Sequence, residues 1–339
     1  MTRVGIAGLG LIGGSLLRGL SEHARSFDLI GYDPSPEVER AAREAGFRTA
    51  PSVDALAGEC DIALVAVPPA KTPGLAAALL GSSPTLFVAD TASVKAAVLQ
   101  ELEAIAGADA LRRFVPAHPL AGAEGAGWKG SDPHLLMDAL WALCPPVAHA
   151  PAEPMTLFSQ VVDELSGRIL VCTAADHDQA VARTSHVPHV AAQALAQLVA
   201  TAEPRLRAAL SGGGYRDMTR VAASAPGLWL EILRANRAAS LEALDELVAD
   251  LTRTREALLE DDGEALEATW LRGASLRRLV DEIRWREPAW EELSSPWPCW
   301  DELVSLGRQG RGLRRLRLDG DSTLTYEAAR GAAPPERGT

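Results

Sequence analysis

Residues 8 to 13, GLGLIG, constrain this chain more than any other stretch. They set Gly8, Gly10 and Gly13 in the pattern G-x-G-x-x-G, with Leu11 and Ile12 filling the spacer, between an apolar run, VGIAG, and a helical one, GGSLLRGL. In a strand-turn-helix context each glycine has its own task. The first permits the tight turn, the second lets backbone approach a pyrophosphate, and the third lets helix and strand pack closely, with the helix N-terminus facing the negative charge. The chain is therefore expected to begin with an α/β, doubly wound Rossmann-like domain that binds a dinucleotide. Asp33 follows at the distance where an acidic side chain accepts the ribose hydroxyls, and its charge repels a 2'-phosphate. Pro34 stands next to it, where an Arg would favour NADP, so the expected cofactor is NAD. Asp33-Pro34 can also be read as a plain turn starter.

Six further apolar runs after RVGIAGL read as strands: DLIGYD, CDIALVAVP, TLFVAD, RRFVPAHP, DALWALCPP and GRILVC. Alternating with helical patterns, they give the grammar of a mainly parallel sheet. From about Asp176 the apolar spacing turns to three and four over long spans, which predicts an all-helical second domain. The expected organisation is a dinucleotide-binding domain over 1–172, a helical substrate and dimerisation domain over 173–290, and a tail over 291–339. In the tail LRRLRLDGDSTLTYE suggests a hairpin about Asp319-Gly320, and the last dozen residues are expected to be disordered. Ala- and Leu-rich helix faces leave apolar surface for a second copy, hence a homodimer.

Composition narrows the partners. The net charge of -12 offers nothing to nucleic acid or an anionic membrane, so an anionic small molecule needs a local basic site. There is no signal-peptide cleavage motif and no apolar run of membrane-spanning length. Four widely spaced cysteines lack metal-ligand spacing, which points to a reduced, cytoplasmic enzyme.

Three stretches carry chemistry: ADTASVKAAV (89–98), VPAHPLAGAEGAGW (115–128) and SHVPHVAAQAL (185–195). Together with GLGLIGGSL and GGGYRDMTRVAASAPGLW (212–229) they resemble the prephenate and arogenate dehydrogenase family, in one order over residues 1 to about 290. The resemblance implies NAD-dependent oxidative decarboxylation of prephenate to 4-hydroxyphenylpyruvate in tyrosine biosynthesis, with arogenate as the alternative substrate. It makes His118 the catalytic proton acceptor, and it gives Ser93 a hydrogen bond to both the substrate hydroxyl and the imidazole. Arg220 becomes the clamp on a substrate carboxylate, His189 a substrate-side residue, Trp229 a pocket wall and Glu124 the acidic partner of a gate. Asp217, three residues before Arg220, can orient its guanidinium.

Plainer readings stand beside these. Lys95 can sit on a helix surface or act electrostatically, Trp229 can be a core residue, and Asp217 with Arg220 can be an exposed i,i+3 pair. His186 can bond at a helix start. His186 and His189, three apart, could hold zinc, but no third ligand has recognisable spacing, so no metal is expected. A different NAD(P) dehydrogenase with a catalytic Lys in the helical domain is disfavoured, because residues 171 to 290 contain no Lys. A non-enzymatic NAD sensor would leave His118, Ser93 and Arg220 without a joint purpose. The keto acid is expected over the amino acid because no extra carboxylate stands beside the substrate motifs.

Overall fold

The computed structural model describes residues 1–24, 26–122, 127–145, 150–200, 203–320 and 322–331. Five parallel strands form the first sheet: β1 (Thr2–Ala7), β2 (Phe27–Tyr32), β3 (Ile62–Val65), β4 (Phe87–Asp90) and β5 (Phe114–Val115), in the order β2-β1-β3-β4-β5. Alternate residues of these strands feed two separate cores. Val4, Ile6, Ile62, Leu64 and Ala89 pack with Leu16, Leu17 and Leu20 of the helix Leu11–His23 and with Phe158 and Val161 of the helix Ala152–Glu164. Ala7, Ala63, Val65 and Val88 pack on the other side with Leu56, Leu79, Leu80 and Leu102. A period of two with helices on both faces makes the sheet doubly wound, as the apolar runs imply.

The run RRFVPAHP does not form one strand. At Pro116 the chain leaves the first sheet, and β6 (Ala117–Pro119) pairs antiparallel with β7 (Leu140–Leu143), His118 facing Ala142. β7 pairs parallel with β8 (Arg168–Val171). The second sheet is completed from the far end of the chain by β9 (Trp290–Pro296), β10 (Leu313–Asp319) and β11 (Thr323–Ala329), in the order β6-β7-β8-β10-β11-β9. The tail therefore shares a sheet with the first domain. Gly307, on the helix Trp300–Arg308, marks the closeness of that docking, since a Cβ there would lie 1.8 Å from the Val171 carbonyl oxygen. The hairpin turns at Asp319-Gly320, where Gly320 has φ +61°. The expectation of disorder over the last dozen residues fails at its start, because Ala328 and Ala329 are buried strand residues; 332–339 lie outside the described residues.

Between the two sheet segments come helices: Ala174–Val181, Val187–Gln197, Gly213–Thr219, Pro226–Ala235, Arg237–Leu259 and Gly263–Val280. The first two are joined by a π-helical turn, Ala182–His186, in which the Val187 N–H reaches back to the Ala182 carbonyl ahead of Pro188. Insertions of this kind recur at functional sites. None of the described helices is long and apolar enough to cross a membrane. All four cysteines are free and buried.

Candidate active site

Three features of the glycine loop fit a bound pyrophosphate. Gly8 takes φ +95°, and a Cβ there would sit 2.6 Å from the Ala66 carbonyl oxygen. A Cβ on Gly13 would strike the Gly8 carbonyl at 1.8 Å. Gly10 is the opposite case: it caps the helix Leu11–His23 and a Cβ there meets nothing within 4 Å, so the backbone borders open space. That helix has no side-chain cap and no acidic residue in its first turn, which leaves its N–H groups and the positive end of its dipole for an anion. Leu11 and Ile12 form that first turn, half-buried.

Asp33 follows β2. Its Oδ2 accepts the Leu9 N–H at 2.8 Å and its Oδ1 accepts the Ser35 N–H at 2.9 Å. The turn-starter reading of Asp33 is met, and the same side chain braces the glycine loop. Each oxygen still has a lone pair for a further donor.

His118 stands where the chain crosses between sheets. β1, β3, β4 and β5 are parallel, so the glycine loop, the turn after Asp90 and the segment leading to His118 all leave the same edge of the first sheet. His118 Nδ1 lies 2.9 Å from His177 Nε2, the rings edge to face, and His177 Nδ1 lies 2.7 Å from Asp178 Oδ1. Asp178 also accepts the Lys95 N–H at 2.8 Å and the Ala96 N–H at 2.9 Å, and these bonds hold its carboxyl below its ordinary range against the cost of burial. An ionised Asp178 fixes His177 with its proton on Nδ1. The lone pair on His177 Nε2 then accepts Nδ1–H of His118. His118 is left with an unprotonated Nε2. Burial, with His177 and Lys95 nearby, pushes the His118 pKa well below 6.5, so the imidazole is neutral. The motif reading missed His177 and Asp178. The only signal was two adjacent polar residues opening a helix just past a strand end.

Lys95 is not on a helix surface. It is fully buried, with Nζ 2.5 Å from Asp90 Oδ2 and 2.6 Å from the Ala117 carbonyl oxygen. Asp90 Oδ1 accepts the Ala117 N–H at 2.9 Å, so the pair grips the backbone next to His118. Ser93 is half-buried in the turn between these two residues.

On the helical side, His189 stacks on Trp229 at 3.6 Å between centroids, and its Nδ1 donates to the Ser185 carbonyl at 2.8 Å. Burial lowers its pKa, and the charge of Arg220 lowers it further. His189 therefore presents a lone pair on Nε2 rather than a positive charge. Trp229 also packs against the core of the first domain, as the core reading has it. His186 is buried, with Nδ1 3.3 Å from Asn236 Nδ2 and 3.4 Å from Ser240 Oγ, and burial brings its pKa to about 4. Its contacts are with another helix instead of its own N-terminus. Arg220 opens the short turn Arg220–Ala223 and is exposed. Asp217 is exposed one turn earlier and forms no ion pair among the described residues, so it does not orient Arg220. Glu124 lies outside the described residues. No group of three potential metal ligands occurs among the described residues.

The chain matches two family models. One, described as prephenate dehydrogenase, nucleotide-binding domain, covers residues 16–171; the other, described as prephenate dehydrogenase, dimerization domain, covers 173–272. The glycine loop lies just ahead of the first match and rests on its own geometry. Among curated relatives, cyclohexadienyl dehydrogenase of Zymomonas mobilis is 35% identical over 272 residues, 78% of this chain and 90% of the relative. Prephenate dehydrogenase of Lactococcus lactis is 26% identical over 332 residues, 96% of this chain and 88% of the relative. The crystal structure of prephenate dehydrogenase from Aquifex aeolicus, in complex with hydroxyphenyl propionate and NAD+, superposes with a TM-score of 0.72 at 26% identity, over 82% of this chain and 98% of that one. Synechocystis arogenate dehydrogenase gives 0.70 at 27% identity, over 82% and 100%.

Proposed function

Since the chain belongs to the prephenate dehydrogenase family, a family of oxidoreductases, we propose that it oxidises prephenate with NAD, releasing the ring carboxylate as CO2 and forming 4-hydroxyphenylpyruvate. The observation that carries this reading is the chain Asp178, His177, His118, which leaves His118 Nε2 as a ready proton acceptor at the cofactor edge.

The residues divide the work. NAD, held by the loop from Gly8 to Gly13 and by Asp33, supplies the hydride acceptor. His118 Nε2 takes the substrate hydroxyl proton as the carbon-hydrogen bond breaks, and it returns a proton to the phenolate oxygen once the ring is aromatic. Charge developing on His118 is stabilised through His177 by Asp178, the logic of a triad with a second imidazole in the middle. Ser93 donates to or accepts from the same hydroxyl. Arg220 holds a substrate carboxylate, because His189, being neutral, does not supply the positive charge. Trp229, stacked on His189, forms the wall.

The helical domain carries exposed apolar residues along its long hairpin, among them Leu251 at 60% and Trp270 at 67% exposure, which supports pairing with a second copy. The free, buried cysteines fit a reducing cytoplasm.

The test is an initial-rate assay of the purified protein with NAD or NADP against prephenate or arogenate, read at the reduced nicotinamide band. Turnover with NAD and prephenate is expected. Turnover only with arogenate would move the substrate to the amino acid, and cofactor binding with no turnover on either would overturn the reading.

A further inference from the structure

A cavity of about 640 Å³ opens at the N-terminal ends of β7 and β8, while His118 and His177 stand toward their C-terminal ends. Beyond β6 the wall begins at Leu120, two residues past His118, and none of Ser93, His118, His177 and Asp178 lines it. The volume falls in the range of small-molecule sites. Its wall includes Arg168, Arg284, Trp285, Trp290, Arg314 and Arg315, none of which the reaction uses.

The charges on this wall are unevenly paired. Glu327 accepts from Arg314 Nε at 2.7 Å and from Arg315 Nη1 at 2.6 Å, so those two cations share one anion. Asp163, also on the wall, is occupied: Oδ1 accepts the Arg315 N–H at 3.0 Å and Oδ2 the Ser159 hydroxyl at 3.2 Å. Asp138 and Glu287 complete the acidic side chains, and neither enters an ion pair among the described residues. Arg168 and Arg284 enter none either, yet they stand together, with Arg168 Nη2 3.4 Å from the Arg284 carbonyl oxygen. Burial and the neighbouring charge of Arg168 both lower the Arg284 pKa, as expected for two like charges held close.

Two further observations concern the same wall. Trp290 Nε1 is buried and has no hydrogen-bond partner among the described residues, an orphan donor that costs free energy unless an acceptor meets it. Backbone strain also gathers there. Asp138, Ser166 and Arg315 have φ of 56°, 55° and 55°, three of the five non-glycine residues with positive φ among the described residues. Arg315 sits where the pairing of β10 with β11 shifts register, a bulge of the kind that re-aims a side chain. Such strain persists mainly where a site requires it.

Among the described residues Arg168 and Arg284 have no carboxylate partner and the Trp290 indole N–H has no acceptor, and a ligand that meets these three donors is an acceptor-bearing anion. The Trp285 ring, 66% exposed, offers a face for a planar group. We propose that this cavity is a second ligand site, separate from the dehydrogenase site, for a small carboxylate that carries an aromatic ring. The assignment goes beyond the proposed reaction and does not depend on it.

The experiment is calorimetric titration of the full chain with 3-(4-hydroxyphenyl)propionate, and separately with inorganic phosphate and with phenol. The expected result is two propionate sites per chain. Arg168→Ala with Arg284→Ala should weaken one at least tenfold, leaving the other and the unliganded turnover rate unchanged, whereas Arg220→Ala weakens the other. Trp290→Phe, which keeps the ring and removes only the donor, should weaken the cavity site in the same way should the double variant fold poorly. A single site that Arg220→Ala removes and the cavity variants leave intact would overturn the proposal. So would phosphate binding to the cavity as tightly as propionate, which would make it an anion site without ring preference. A single site lost only with the cavity variants would uphold the proposal and count against the active-site reading.

Discussion

His118 and His177 face each other at 2.9 Å, Nδ1 to Nε2, although one lies on a short strand of the first domain and the other on the first helix of the helical region. Asp178 anchors this contact and at the same time accepts the N–H groups of Lys95 and Ala96, at the start of the helix Ala96–Ala106. One carboxylate therefore sets the tautomer of the base and ties the two domains together.

Asp178→Asn should test the first of these roles. An amide can hold His177 with its proton on either nitrogen, so His118 loses its defined acceptor. We expect kcat to fall about 100-fold, within the span of general-base contributions, with the cofactor dissociation constant little changed. A fall in cofactor affinity with kcat intact would assign Asp178 to structure alone.

The pH dependence follows from the direction of the His118 pKa. The neutral form accepts the proton and its pKa lies well below 6.5, so kcat/KM should stay level as pH falls through 6.5 and drop only at lower pH. Burial is the first cause of that lowering, with the Lys95 charge in the same direction. A pH-rate profile of kcat/KM checks it, and an acidic limb centred at 6.5 or above would contradict a buried, neutral base.

Two alanine substitutions in the glycine loop should part ways. Gly13→Ala drives a methyl against the Gly8 carbonyl, where backbone must shift, so both melting temperature and NAD affinity should fall. Gly10→Ala meets nothing in the protein and the φ of −72° is one that alanine adopts, so the melting temperature should change less than for Gly13→Ala while NAD binding weakens about tenfold. Thermal melts and a fluorescence titration with NADH measure both.

Lys95→Met should cost about 3–5 kcal/mol in a urea titration, because it leaves the buried Asp90 carboxylate without its counter-charge. Adding Asp90→Asn should restore part of that loss. An exposed helix lysine would give no such effect.

Local features were legible and distant pairings were not. Gly8, Gly10 and Gly13 announced their turn because steric need and residue type coincide, and alternating apolar runs announced β1 to β5. Asp319-Gly320 marked its hairpin for the same reason. Nothing local says that β10 will pair with β8, more than a hundred residues earlier, so the tail read as a separate unit. His177 meets His118 across 59 residues, and Lys95 turns inward because Asp90 and the Ala117 carbonyl await it. A helical pattern shows which face is apolar, but it cannot show a polar residue being drawn into a core by a partner. Asp217 shows the converse, since its i,i+3 spacing to Arg220 permits a pair that the structure does not form.

The most direct measurement is the single-turnover rate of His118→Asn, made with saturating NAD and prephenate beside a titration of NADH binding. Asparagine keeps a donor near the Nδ1 position and removes the lone pair on Nε2. The rate is expected to fall about 1,000-fold or more with NADH affinity unchanged. A variant that turns over at the parent rate would contradict it.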